Sequence, residues 1–263
     1  MAASQPELHA FPDPRALALT LRSILLQAQS ESLSLRGTFR LAVSAGAVPD
    51  ALAAALLPQP SVSNDAFDFD KWEIFLADER AVPLDHADSN YSLLKRTLLE
   101  QLPNGLKVHP IDARYLDDLP KLASSYGEVL NSVFGTETPI FDLLLLGCGL
   151  DGHLCSLFPG HPLLQEKHAH VAHIDDSPKP PPRRVTLTLP VVTSARRIIF
   201  VVVGSEKKEL VKRVLDTQTD LPSAMVNRLA GNRVKWFVDR PAVEGVAYPR
   251  SNLQAGWYEE ASR

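Results

Sequence analysis

Cysteine is scarce: Cys148 and Cys155 are the only two among 263 residues, and they do not form a CxxC pair. That usage excludes a disulfide framework and fits two reduced thiols in an intracellular protein. Long apolar runs are missing as well. Stretches such as 141–146 and 198–203 have the length of strands and fall far short of a bilayer span. The N-terminus, Met1-Ala-Ala-Ser-Gln-Pro-Glu7, has no basic segment leading into an apolar one, so no secretory signal is read and a cytoplasmic location is expected. Positive charge is in deficit too: 27 Lys plus Arg face 31 Asp plus Glu, a formal charge of -4. Such a balance disfavours nucleic acid and membrane as partners, and any bound anion must be met by a few locally placed cations.

What remains is an ordinary globular composition, 45% hydrophobic and 22% charged, long enough to bury a sizeable core. Helical spacing of apolar residues predicts helices over 14–33, 50–57, 93–102, 119–134 and 206–215. Strands are expected over 39–44, 71–77, 141–146, 184–189, 198–203 and 234–238, with 159–182 rich in loops. The run 141–146 is apolar throughout, which marks a strand buried on both faces of a parallel sheet. Alternation of the two element types implies an α/β fold, a doubly wound, mostly parallel sheet with helices on both faces. No internal repeat or long linker appears, so residues 1–245 are read as one domain and 246–263 as a C-terminal tail.

The polar groups fall just after the expected strands: Ser44-Ala-Gly46, Asp78-Glu-Arg80, Gly147 to His153, and Gly204 to Lys207. Ligands in such folds bind beyond the carboxyl ends of the strands, which puts all four on one rim. Gly147-Cys-Gly149-Leu-Asp-Gly152 fits GxGxxG, but Phe158-Pro159-Gly160 interrupts any helix and no clean second strand precedes Asp175. A dinucleotide site is therefore not supported. Asp151-Gly-His153 has a better reading: a histidine one residue from a carboxylate can take a proton from water near neutrality. Arg80, Arg184 and Lys207 are cations available to that rim, although most Lys and Arg are simply solvated. The turn at 44–49 offers backbone N–H groups opening a helix. His161, His168, His170 and His173 lack the ligand spacing of a zinc site, so no metal is expected. Pro178-Lys-Pro-Pro-Pro182 reads as a polyproline motif or as an ordered loop over the site, and no GxSxG nucleophile elbow is present.

Taken together, these motifs resemble the 6-phosphogluconolactonases, within the larger group that includes glucosamine-6-phosphate deaminases and ribose-5-phosphate isomerases. The resemblance runs from about residue 14 to residue 240. It rests on Trp72-Glu-Ile-Phe-Leu-Ala-Asp-Glu-Arg80 with Ser89-Asn-Tyr91, on Gly149-Leu-Asp-Gly-His153 with Ser156-Leu-Phe-Pro-Gly-His-Pro162, and on Asp176-Ser-Pro-Lys-Pro-Pro-Pro-Arg-Arg184 with Gly204-Ser-Glu-Lys207. It implies a three-layer α/β/α fold and hydrolysis of 6-phospho-D-glucono-1,5-lactone to 6-phosphogluconate in the oxidative pentose phosphate pathway. His153 then matches the family's catalytic histidine, with Asp151 orienting it. Arg80, Lys207 and Arg184 become contacts to the substrate phosphate, Ser44 and Gly46 part of the phosphate-side loop, and Asp78 a holder of sugar hydroxyls. The resemblance implies no cofactor, and as partner a small sugar-phosphate lactone; the chain is expected to be a monomer or a weak homo-oligomer.

Departures from the family pattern stand out. The phosphate-side loop usually reads Ser-Gly-Gly-Ser/Thr-x-Pro, but here it is Ser44-Ala-Gly-Ala-Val-Pro49. Ala45 adds a Cβ and Ala47 lacks a hydroxyl, and losing one donor to an anion costs about 1.5–3 kcal/mol unless backbone amides suffice. Leu150 stands where proline is common, which loosens a turn. Two other readings are weighed. The deaminases resemble this chain at Asp78, Asp151 and His153 but carry a glutamate five residues past the histidine, where Phe158 stands; an apolar ring cannot move a proton. The altered loop also fits a sugar-phosphate sensor without activity, although His153, Arg80 and Lys207 are all in place.

Overall fold

Residues 143–146 are four consecutive leucines, and all four are fully buried. A strand so uniformly apolar has to be covered on both faces. The computed structural model describes residues 5–57, 67–103 and 105–251. Its strands are β1 (Glu7–Phe11), β2 (Phe39–Val43), β3 (Trp72–Leu76), β4 (Asp78–Arg80), β5 (Lys107–His109), β6 (Leu143–Leu146), β7 (Val171–Ile174), β8 (Arg184–Leu187), β9 (Ile198–Val202) and β10 (Val234–Asp239). The helices are α1 (Pro14–Arg36), α2 (Val48–Leu56), α3 (Asn90–Thr97), α4 (Leu119–Phe134), α5 (Leu189–Ser194), α6 (Lys208–Asp216) and α7 (Pro222–Ala230).

Seven strands build one sheet in the order β1-β10-β9-β6-β2-β3-β5, every neighbouring pair parallel. Successive side chains of a strand point to opposite faces, and the core divides accordingly. Leu143 and Leu145 join Leu41, Ile74 and Ile199 under the apolar stripes of α1 and α2. Leu144 and Leu146 join Phe75, Phe200 and Trp236 under α4, α6 and α7. This is the expected doubly wound, three-layer arrangement. The chain moves outward from β2 to β3 on one side and from β6 to β9 on the other, so the order reverses between β2 and β6. The carboxyl ends of those two strands therefore diverge around a crevice.

The helix ends follow local chemistry. Asp13 caps α1 by accepting from the Ala16 amide at 2.8 Å, and Pro14 opens the first turn. Gly37, at a φ of 72°, closes it with a bond to the Leu33 carbonyl.

Several elements differ from expectation. The strand expected over 184–189 exists as β8, but it belongs to a separate antiparallel sheet ordered β4-β8-β7. The loop-rich stretch 159–182 contains β7, and Asp78-Glu-Arg80, read only as a charged cluster, is β4. A strand thus does precede Asp175, but it pairs antiparallel with β8 and not with β6. The short strands β1 and β5 and the helix α7 have no counterpart in the sequence reading. At the C-terminal end, Ala242 and Val243 are buried, the Tyr248 hydroxyl donates to the Pro6 carbonyl at 2.7 Å, and the Ser251 amide donates to Leu8. Residues 252–263 of the expected tail lie outside the described residues. Among the described residues no helix is long and apolar enough to cross a membrane.

One buried hydroxyl fixes α4 to the rim of the sheet. Tyr126 Oη accepts from the Leu76 amide at 2.8 Å and donates to the Leu76 carbonyl at 3.1 Å. The ring is 3% exposed, and burial drives the phenol pKa upward, so it remains a neutral donor and acceptor. Replacing Tyr126 with Phe leaves a buried amide unpaired, at a cost of about 1–3 kcal/mol. Urea unfolding of Tyr126→Phe is expected to show that loss as a lower midpoint with an unchanged slope.

Candidate active site

All four rim segments named from the sequence meet at the crevice between β2 and β6. They line a cleft of about 220 Å³, together with Arg184 from β8 and Cys155. Ser44, the first residue past β2, accepts through Oγ from the Gly147 amide at 2.7 Å, which ties the two diverging strand ends together. The turn that follows enters α2. Only Gly46 in that turn has a left-handed φ, 77°, and Ala45 does not need one. The glycine that is lost at 45 was therefore not required by the backbone, whereas the one kept at 46 is. Ala47 is the N-cap of α2 and makes no side-chain cap, which leaves the first-turn amides without a hydroxyl acceptor.

Past β6 the chain forms a tight loop that carries the histidine. His153 Nδ1 lies 2.6 Å from Asp151 Oδ1, and the Gly149 amide donates to the His153 carbonyl at 2.9 Å. The imidazole rests directly on the backbone of Gly149: a Cβ there would sit 2.1 Å from both Cε1 and Nδ1 of the ring. Gly152 turns the loop at a φ of 86°, where a Cβ would strike Leu221. Among the described residues the GxGxxG segment opens no helix: Gly149 makes room for the imidazole, Gly152 lies against Leu221 and Gly147 against the Ala45 carbonyl. The ring also stacks on Phe158, centroids 4.6 Å apart.

Burial between these groups lowers the His153 pKa below the ordinary imidazole value, against the pull of Asp151, with Lys179 lowering it further. Burial alone would raise the Asp151 pKa, but hydrogen bonds and charge from His153 and Lys179 outweigh it and hold the carboxyl at about 2. Near neutral pH the pair is a carboxylate and a neutral imidazole. The short contact to a permanent carboxylate places the ring proton on Nδ1, so Nε2 carries the free lone pair. Nε2 makes no hydrogen bond among the described residues. Both thiols of the cleft are inert: burial raises Cys148 to about 12 and Cys155 well above the ordinary thiol value.

Three cations border the same cleft. Arg80 and Arg184 stand directly opposite each other in the antiparallel β4–β8 pair, a position in which like charges repel. Arg184 is only 2% exposed; its Nε donates to the Pro181 carbonyl at 2.8 Å and Nη2 to the Lys179 carbonyl at 2.7 Å. Burial and the neighbouring Arg80 both lower the Arg184 pKa, yet guanidinium stays charged. Arg80 Nη1 donates to the Asp88 carbonyl at 2.7 Å, while its Nε is buried without a hydrogen-bond partner among the described residues. Lys207 Nζ donates to the Cys148 carbonyl at 2.8 Å. Among the described residues no carboxylate lies within ion-pair distance of any of the three.

Asp78 lines the cleft as well, but its carboxylate is engaged: Oδ2 accepts from Ser156 Oγ at 2.8 Å and Oδ1 from Asn90 Nδ2 at 3.2 Å. Each oxygen keeps a further lone pair, so the brace leaves Asp78 able to accept a hydroxyl from the cleft. Sequence reasoning missed two residues. Glu79 is fully buried and accepts from the amides of Arg80, Asn90 and Tyr91 and from Ser89 Oγ, which fastens β4 to the start of α3. Lys179 reaches from the proline loop to Asp151 Oδ1 at 3.1 Å. Both lie inside the motifs that carry the resemblance, which gave neither of them a role.

The space beneath the imidazole gives a direct test. In Gly149→Ala the ring must leave its seat, so the low-field Nδ1 proton resonance expected of a 2.6 Å bond to Asp151 disappears. A variant that keeps that resonance shows that the glycine is not what seats the histidine.

The family model described as glucosamine-6-phosphate isomerases/6-phosphogluconolactonase matches residues 12–236. A 6-phosphogluconolactonase of Rattus norvegicus is 43% identical over 255 residues, covering 95% of this chain and 97% of the relative. A solved 6-phosphogluconolactonase from Trypanosoma brucei superposes with a TM-score of 0.78 at 29% identity, covering 93% of this chain and 100% of that one. A monomeric glucosamine-6-phosphate deaminase shares the fold, with a TM-score of 0.73 at 18% identity over 90% of this chain and 99% of that one. The chain belongs to the family of glucosamine-6-phosphate isomerases and 6-phosphogluconolactonases.

Proposed function

We propose that the protein is a lactone hydrolase that converts 6-phospho-D-glucono-1,5-lactone to 6-phospho-D-gluconate. One observation carries the reading. A neutral imidazole, pinned through Nδ1 to a carboxylate, shares a cleft with three cations that have no carboxylate partner. The imidazole supplies a base, and the cations supply a seat for a phosphate-bearing substrate.

His153 Nε2 takes a proton from a water as that water attacks the lactone carbonyl carbon. Asp151 holds the tautomer and stabilises the imidazolium that forms. The negative charge that develops on the carbonyl oxygen is met by a backbone amide of the strand-end loop that borders the cleft at Cys148. As the tetrahedral intermediate collapses, the bond from the carbonyl carbon to the ring oxygen breaks and the imidazolium returns its proton to that oxygen. Arg80, Arg184 and Lys207 hold the phosphate, and the unpartnered Arg80 Nε is a donor in want of an acceptor. Ser44 and Gly46 shape the loop beside them. A ring-opening isomerase or deaminase would need a second proton carrier at the imidazole; Phe158 occupies that face.

The assay is disappearance of the lactone generated in place, with the spontaneous hydrolysis subtracted. His153→Asn is expected to lose at least about a hundredfold in kcat, the scale of a general base. Near-normal turnover in that variant would remove His153 as the base. Arg80→Gln is expected to raise KM by about tenfold or more, because a charged hydrogen bond to phosphate contributes roughly 1.5–3 kcal/mol.

The pH dependence follows from the lowered His153 pKa. The base must be unprotonated, so kcat/KM falls on the acid side as His153 gains a proton. A pKa below the ordinary imidazole value of about 6.5 keeps the base available to lower pH. The midpoint of the acid limb is therefore expected under that value, and a midpoint above it contradicts the burial argument.

A further inference from the structure

Between β7 and β8 the chain runs as Ser177-Pro-Lys-Pro-Pro-Pro182. Its backbone is held to Arg184: the carbonyls of Lys179, Pro180 and Pro181 accept from the guanidinium at 2.7, 3.2 and 2.8 Å. Ser177 braces the loop, accepting from the Lys179 amide and donating to the Lys179 carbonyl. The Lys179 side chain goes the other way. Its Nζ lies 3.1 Å from Asp151 Oδ1 and 3.3 Å from His153 Nδ1. A neutral imidazole cannot both donate from Nδ1 to Asp151 and accept there from Lys179. The ammonium is therefore a donor to the carboxylate alone, lying beside the ring as a like charge to the imidazolium.

We propose that Lys179 is a positioning residue for the hydrolysis, its carbonyl holding the anion-binding Arg184 while its ammonium holds Asp151 beside His153. The proposal rests on the reading of His153 as the general base. Asp151 by itself would make the imidazole a stronger base, slow to return its proton to the leaving ring oxygen. Lys179 shares the carboxylate and offsets that pull, so the ring both takes and gives a proton near neutral pH. The remaining charges around His153 do not replace it. Asp78 on β4 acts in the same direction as Asp151. Arg80, Arg184 and Lys207 stand across the cleft, and Arg213 on α6 reaches the Asp151 carbonyl only at 3.4 Å. The Cys148 and Cys155 thiols remain uncharged.

The experiment is a pair of titrations on the full chain. Imidazole NMR follows His153 directly, and kcat/KM is measured over the same pH range, in wild type and in Lys179→Met. Removing the ammonium is expected to move the His153 midpoint upward. The ratio of kcat/KM at pH 6 to that at pH 8 then falls by about threefold or more, since a like charge no longer opposes protonation. KM is expected to stay within about twofold, because Arg184 is held by loop carbonyls that the substitution leaves in place. Lys179→Arg is expected to restore the wild-type midpoint, whereas a purely structural role would predict no such dependence on charge. Lys179→Gln serves the same comparison if the methionine variant does not fold. An unmoved His153 midpoint in a folded Lys179→Met protein overturns the proposal. If His153→Asn is inactive while that midpoint is unmoved, the base reading stands and the role of Lys179 alone fails. If His153→Asn is active, both fall together.

Discussion

A guanidinium that is 2% exposed, with a second guanidinium opposite it and no carboxylate within ion-pair distance among the described residues, is a costly electrostatic arrangement. Burying an unpaired cation costs several kcal/mol, so the surrounding fold has to compensate in other ways. It does so with carbonyl dipoles. The loop over 179–181 folds its oxygens around Arg184, and the guanidinium lies 5.6 Å from the ring of Phe158. A carboxylate at this place would relieve the cost and cancel the field. Dipoles hold the cation without neutralising it, which is what the proposed phosphate contact requires. The small antiparallel sheet serves the same purpose, since the β4–β8 pair aims two cations at one point that a strand of the main sheet could supply only singly.

The same logic extends to the proton-transfer half of the cleft. His153 lies close against Gly149 and stacks on Phe158, so it is largely desolvated and its charged form is disfavoured. Asp151 opposes that effect at 2.6 Å, and the outcome is a ring that is neutral yet oriented. Each neighbour has one physical task. Gly149 provides space, Phe158 excludes water from one face, and Asp151 selects the tautomer.

Much of this was legible in the sequence, for a physical reason. Strand 143–146 is apolar at every position because it is covered on both faces, and the polar residues cluster after strands because parallel strands all end on one rim. Those two regularities place Ser44, Arg80, His153 and Lys207 together before any coordinates are known. What escaped depends on contacts between residues far apart in the chain. β7 is four residues inside a histidine-rich stretch, and nothing local distinguishes it from a loop until β8 pairs with it. Lys179 reads as a surface lysine in a proline run; only the folded loop brings it to a carboxylate 28 residues away. Glu79 reads as solvated charge, because a sequence does not display the four donors that make its burial tolerable. For Asp78 the rim position was legible, while its bonds to Ser156 and Asn90 were not.

The altered loop after β2 shows how a departure from a family pattern is weighed. By composition, Ala45 and Ala47 suggest a damaged anion cradle. Geometry separates three effects that composition merges. The left-handed φ falls on Gly46, which is retained, so the turn keeps its path. The Ala45 Cβ takes up space in the cleft without straining the backbone, and its effect is confined to how closely a ligand approaches. Ala47 forfeits a hydroxyl, but that hydroxyl, at an N-cap, would serve as acceptor to the first-turn amides of α2 as readily as donor to a ligand. Without it those amides have no side-chain acceptor, and an anion in the cleft becomes their available partner. Under the proposed function the lost donor is offset by the amides of Val48 and Asp50, since Pro49 between them has none.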